Sequence, residues 1–93
     1  MENDIKHYFN NNMWIFEKEL NSVYKKYTFK SFISAFSWMT EVALNVELND
    51  HHPEWKNIYN KVEVVLTTHD KKKVTYKDLV LAKIMDEAFE KYT

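Results

Sequence analysis

Apolar positions change their spacing several times along the chain, and each change marks a new element. Near the start, Ile5, Tyr8 and Phe9 share one side of a short helix predicted over residues 2–11. The polar run Asn10-Asn11-Asn12 ends it. From Met13 to Leu20 the spacing is that of a strand, with Trp14 and Phe16 in phase. Asn21 and Ser22 supply a turn. Ser22 to Thr28, rich in Val and Tyr, follows as a second strand, although Tyr24 and Lys25 break its alternation.

Residues 29–48 switch to helical spacing. Phe32, Phe36, Met39 and Ala43 form one row; Ala35, Met39, Val42 and Val46 form another. The apolar arc is wide. Either all of it is monomer core, or one face covers a sheet while another meets a second subunit. Pro53 disfavours helical backbone at His52, so the helix is expected to stop before that residue. Glu54 to Tyr59 reads as a strand and Asn60-Lys61 as a turn. Val62, Val64 and Leu66 then alternate with Glu63, Val65 and Thr67 in a strand reaching about His69. Thr75 and Asp78 match a capping box with Asp in place of Glu. It opens a last helix whose stripe is Leu79, Ala82, Met85 and Phe89.

These elements predict a single α+β domain over residues 1–93. Its four-stranded antiparallel sheet, made of two hairpin pairs, carries two main helices and the short N-terminal helix on one face. The other face is expected to stay partly open.

Composition sharpens this picture. No cysteine is present, so no disulfide staples the fold, but 16% of the 93 residues are aromatic. That is enough large side-chain area for a core without a metal or a cross-link. Glycine is absent too. Turn positions needing positive φ must fall to Asn, Asp and Lys, of which Asn and Asp tolerate them best. The net charge is −1, and all 13 basic residues are lysines. That balance lacks the footprint of a nucleic-acid binder, so no direct nucleic-acid binding is expected. No segment approaches the ~18 apolar residues of a membrane span. The residues after Met1 lack the apolar region of a signal peptide, and a cytoplasmic location is the expectation.

Candidate chemistry concentrates in Glu47-Leu-Asn-Asp-His-His-Pro-Glu-Trp55. His51 and His52 are adjacent, Glu47 lies four residues before His51, and His69 follows at the end of the fourth strand. Histidines around one pocket can move protons in both directions near neutral pH. A metal site is the first rival, but there is no H-x-x-x-H pair, no H-x-H pair and no Cys. Adjacent histidines on extended backbone also point to opposite sides, so a turn near Pro53 would be needed to aim both at one pocket. No nucleophile motif is present. His7 reads as a structural histidine. Lys71-Lys72-Lys73 reads as a solvated turn, with attraction of an anionic partner as its functional alternative.

Several blocks together resemble the signature of pterin-4a-carbinolamine dehydratases. They are His51-His52-Pro53-Glu54-Trp55, then Tyr59-Asn60-Lys61-Val62, then Leu66-Thr67-Thr68-His69, then Asp78 before Leu81-Ala82. Phe29, Phe32, Ala35-Phe36, Met39 and Val42-Ala43 stand at the family's spacing in the long helix. The resemblance runs from about Trp14 to Phe89. It implies dehydration of 4a-hydroxytetrahydrobiopterin to quinonoid dihydrobiopterin during tetrahydrobiopterin recycling, without metal or cofactor. It implies proton transfer by His51 and His69, with His52 mainly holding the pterin. Glu47 and Asp78 would orient imidazoles or bind polar ring edges, and Pro53 and Trp55 would shape an apolar wall.

The family also forms dimers by sheet extension and tetramers by helix packing, so a homodimer or homotetramer is expected. Its vertebrate member doubles as the dimerization cofactor of a homeodomain transcription factor. A helical protein partner, and with it a nuclear location, is therefore the alternative reading. Ile33, Trp38 and Leu44, outside the main helical row, would supply that surface. Three departures stand out. Asp70-Lys71-Lys72-Lys73 replaces a glycine-containing loop, Lys25 or Lys26 stands where an arginine is common, and Ser37 occupies a glycine region.

Overall fold

In the computed structural model, which describes residues 3–17, 19 and 21–93, seven main elements follow the predicted order. They are α1 (Asn3–Asn11), β1 (Ile15–Glu17), β2 (Ser22–Thr28), α2 (Phe32–Asn49), β3 (Glu54–Ile58), β4 (Lys61–Leu66) and α3 (Tyr76–Phe89). A short 3-10 turn, Glu90–Tyr92, closes the described chain. The strands form one antiparallel sheet in the order β1-β2-β4-β3, so two hairpins join through β2 and β4. The fold is α+β, as expected.

Boundaries moved where local hydrogen bonds outbid periodicity. β1 starts two residues late because Met13 takes a left-handed φ of 67° and the Trp14 amide donates to Phe9 O at 3.2 Å. Glu2, Lys18 and Leu20, included in the expected α1 and β1, lie outside the described residues. α2 begins at Phe32 because the Ser31 hydroxyl caps it, accepting from the Ser34 amide at 3.1 Å. Phe29 stays outside the helix, buried, with its amide on Asn60 O at 2.8 Å. The β3–β4 turn falls on Tyr59 and Asn60, and Lys61 already belongs to β4. β4 ends at Leu66, which leaves His69 in a turn bracketed by a bridge between Thr68 and Lys73.

Among the described residues, five positions that glycine would suit are left-handed: Met13, Asn21, Asp50, Tyr59 and Lys72. Asn, Asp and Lys were the expected substitutes; Met13 and Tyr59 were not. Such geometry costs a non-glycine residue roughly 1 kcal/mol, least for Asn and Asp.

The core lies between the sheet and the helices. α2 turns Ala35, Trp38, Val42 and Val46 inward. The other expected row, Phe32, Phe36 and Ala43, faces out, with Phe36 56% exposed. Trp38 corrects its expected place on a partner surface: it is fully buried. Its ring lies 4.5 Å from Tyr27 and 5.3 Å from Phe29, and its Nε1 donates to Met85 O at 3.0 Å. An indole removes more apolar area from water than the phenyl rings it displaces, and here its N–H is satisfied. That decides which side of α2 points in.

Lys25 explains the broken alternation of β2. It faces inward and reaches Asp86 of α3 at 2.8 Å and Asn12 O at 2.9 Å. Of the two lysines that could stand for the family's arginine, Lys25 is therefore the inward one. Asp86 also accepts from Tyr8 at 2.6 Å, from Trp14 Nε1 at 3.0 Å and from the Tyr27 hydroxyl. Burial, and then the Asp86 carboxylate, push the Tyr8 and Tyr27 phenols above their ordinary range, so both remain donors. The network ties α1, the turn between α1 and β1, and β2 to α3. Among the described residues, no helix is long and apolar enough to cross a membrane.

Candidate active site

Two elements frame the site: the segment leaving α2 and the first turn of α3. α2 ends at Asn49, and Asp50 turns left-handed with φ 48°. The chain then runs through Pro53 without regular structure into β3. The two histidines diverge, as adjacent residues on such a segment should. His51 turns inward, and its Nε2 meets Asp78 Oδ1 at 2.6 Å; the side chains are 11% and 0% exposed. His52 turns outward toward Glu47 Oε1 at 3.6 Å, with both side chains largely exposed.

A carboxylate as deeply buried as Asp78 needs partners on both oxygens. Asp78 has them. Its Oδ2 accepts from the Thr68 hydroxyl at 2.8 Å and from the Thr75 amide at 2.9 Å, the latter being half of the predicted capping box. Its place in the first turn of α3 also sets it where the helix dipole favours negative charge. The capping residue thus serves two purposes: it starts the helix and pins an imidazole.

His69 sits in the turn after β4, 74% exposed, with Nε2 at 3.1 Å from Glu54 Oε1. Each of the three histidines therefore has its own carboxylate, and only one pair is buried. A cleft of about 370 Å³ brings His51, His52 and His69 together, with Asp50, Thr68 and Lys77 also on its walls. A neighbouring hollow of about 390 Å³ lies on the other side of His69, beside Glu54 and Lys72.

The remaining expected site residues divide. Asp78 is at the heart of the site, and Glu47 reaches it only through His52. Pro53 is half-buried between the histidines and β3. Trp55 stands on the inner face of β3, with its ring 6.1 Å from Trp38. Asp50, Thr68 and Lys77 were missed as site residues. Asp50 and Thr68 border predicted histidines in sequence, and Lys77 precedes Asp78, but spacing alone does not bring them to one cleft. His7 bonds Asn11, one turn away in α1, as a structural histidine does. Among the described residues, no three His, Asp or Glu side chains converge as a metal would require.

An α+β domain with a helix-backed sheet and a cleft edged by three histidines is the class of protein that the geometry defines. The profile of the family described as pterin 4 alpha carbinolamine dehydratase matches residues 1–88, and the chain belongs to that family. It is 47% identical over 77 residues, 83% of this chain and 73% of the relative, to a provisionally named pterin-4-alpha-carbinolamine dehydratase of Sinorhizobium medicae (strain WSM419). A relative of the same provisional name from Prochlorococcus marinus (strain NATL2A) is also 47% identical over 77 residues, 83% of this chain and 79% of that one. A crystal structure of a transcriptional coactivator/pterin dehydratase from Brucella melitensis superposes with a TM-score of 0.87 at 34% identity, covering 95% of each chain. A pterin dehydratase-like protein described as a RuBisCO assembly factor in the alpha-carboxysome superposes with a TM-score of 0.71 at 16% identity, covering 82% of this chain and 88% of that one. At that distance the likeness shows the fold alone.

Proposed function

We propose that the chain dehydrates 4a-hydroxytetrahydrobiopterin to quinonoid dihydrobiopterin and water, as a step of pterin recycling. One observation carries this reading: an imidazole held by a buried carboxylate opens onto a cleft edged by two more imidazoles. Asp78 Oδ2 is already occupied by two donors, so Oδ1 takes the Nε2–H of His51. Nδ1 of His51 is then the nitrogen that exchanges a proton. The substrate's 4a hydroxyl must gain a proton as its C–O bond breaks. The adjacent ring nitrogen supplies the electron pair for the new C=N bond and loses its own proton. One imidazolium and one neutral imidazole satisfy both demands, and the proton count balances. His51 and His69 are assigned these roles, and His52, backed by Glu47, holds a polar edge of the pterin. Pro53 forms part of the apolar wall, which Trp55 supports from the core side.

The test uses chemically generated 4a-hydroxytetrahydropterin as substrate. His51→Ala and His69→Ala are expected to lower kcat by about 100-fold or more, while His52→Ala mainly raises KM. Near-wild-type turnover in all three variants overturns the assignment.

A second reading concerns partners. Ile33, Leu44 and Leu48 are 76%, 67% and 83% exposed on α2, beside the outward Phe36. Exposed apolar side chains of this kind suit a second copy of the chain or a partner helix, and the Brucella relative is described as a transcriptional coactivator as well as a pterin dehydratase. Light scattering of Ile33→Glu/Leu44→Glu beside the unaltered chain tests self-association: an unchanged mass removes this face as the subunit contact.

A further inference from the structure

We propose that Thr68 is the positioning residue of the site. Its hydroxyl aims the Asp78 carboxylate, and through it His51, while its backbone holds the turn that carries His69. Thr68 is only 2% exposed, although the residue after it is open to solvent. Its hydroxyl lies 2.8 Å from Asp78 Oδ2 and 2.6 Å from the Thr75 hydroxyl. A hydroxyl has one proton to give. Asp78 is the charged acceptor and takes it, so the Thr75 hydroxyl must donate to Thr68. The Thr75 oxygen accepts in turn from the Lys77 amide at 3.2 Å. Every donor along Lys77, Thr75 and Thr68 therefore points toward one carboxylate. With both donors fixed on Oδ2, the carboxylate is held so that Oδ1 meets His51 Nε2.

The backbone of the same residue does the second job. Thr68 N–H donates to Lys73 O at 3.0 Å, and Thr68 O accepts from the Lys71 amide at 3.1 Å. Those bonds close the turn over residues 69–72, whose left-handed corner is Lys72. The turn holds its shape without a glycine because both of its ends are anchored on Thr68. One residue thus sets the distance between an inward imidazole and an outward one. A threonine that merely filled space would need its shape but not its hydroxyl.

The activity arm of the test rests on the dehydratase reading. Thr68→Val keeps the shape and removes the hydroxyl. It is expected to lower kcat on the order of 10- to 100-fold with KM changed about twofold at most, and to displace the limb of the pH–rate profile that reports His51. Thr68→Ser keeps the hydroxyl and should stay within about threefold of the unaltered chain. A Thr68→Val enzyme with unaltered kcat and pH profile overturns the proposal, and so does a Thr68→Ser enzyme as impaired as Thr68→Val. Nitrogen-15 NMR of the imidazoles separates this from failure of the dehydratase reading, because it needs no turnover. In the unaltered chain His51 should be a single Nε2–H tautomer while His52 and His69 average, and in Thr68→Val the His51 signal should become mixed. Should Thr68→Val not fold, Thr68→Ala takes its place. A tautomer-averaged His51 in the unaltered chain overturns the proposal by itself.

Discussion

His51 and His69 each meet a carboxylate, and the two pairs share little else. His51–Asp78 closes to 2.6 Å with Asp78 fully buried. His69–Glu54 stands at 3.1 Å with both side chains mostly in water. Charges attract far more strongly where water is excluded, and an exposed pair is screened to a small net effect. The buried pair also carries an obligation. Asp78 must keep all three of its donors, because a buried carboxylate that loses one keeps the desolvation cost. The inner pair is therefore rigid and specific, and the outer pair adjustable. For a reaction that gives one proton and takes another, a fixed imidazole and a mobile one can divide the work between holding geometry and reaching the substrate.

The largest effect that could break this contrast is expected at Asp78. Asp78→Asn leaves one acceptor oxygen where three donors converge. Turnover should fall by about 100-fold or more, and denaturant unfolding should show a loss of about 1–3 kcal/mol. If kcat and stability both hold, the buried pair is not what organises the site. A much smaller effect is expected at the outer carboxylate: Glu54→Gln should change kcat by less than about threefold and stability by less than about 0.5 kcal/mol. An effect as large as that of Asp78→Asn would invert the comparison. The smallest change is expected in the turn itself. Lys72→Gly relieves a left-handed lysine but adds backbone freedom in the unfolded chain, so a net gain of at most about 1 kcal/mol is expected in a thermal melt. Activity should be retained, which would show that Thr68, and not a lysine at position 72, presents His69. A loss larger than about 1 kcal/mol, beyond what glycine's backbone freedom costs, would mean that the lysine side chain itself helps hold the turn.

Much of the fold was legible from spacing. Alternation placed β4, richness in Val and Tyr placed β2 despite its broken alternation, the Thr75–Asp78 pair placed the start of α3, and Pro53 explained why α2 stops short of His52. Illegible were the features in which a polar group faces inward. Lys25 looked like a flaw in a strand because its partner Asp86 is 61 residues away. Trp38 looked like a surface residue because three aromatic neighbours, from β2, β3 and the segment before α2, had to come together to bury it. Periodicity registers which residues are apolar; it does not register which long-range polar contacts a turn of helix will satisfy.

The same boundary runs through the site. Sequence alone brought His51, His52 and His69 forward as a set, and residue chemistry plus family resemblance attached Glu47 and Asp78 to them. It left open whether adjacent histidines diverge, as side chains on an extended chain do, or a turn near Pro53 aims both at one pocket. Tertiary structure decided which one turns inward, since only the packing of α3 against the end of β4 places Asp78 and Thr68 behind His51 and leaves His52 facing water. The strength of each histidine–carboxylate pair depends on the solvent excluded around it, and exclusion belongs to the assembled layers and not to any segment of the chain.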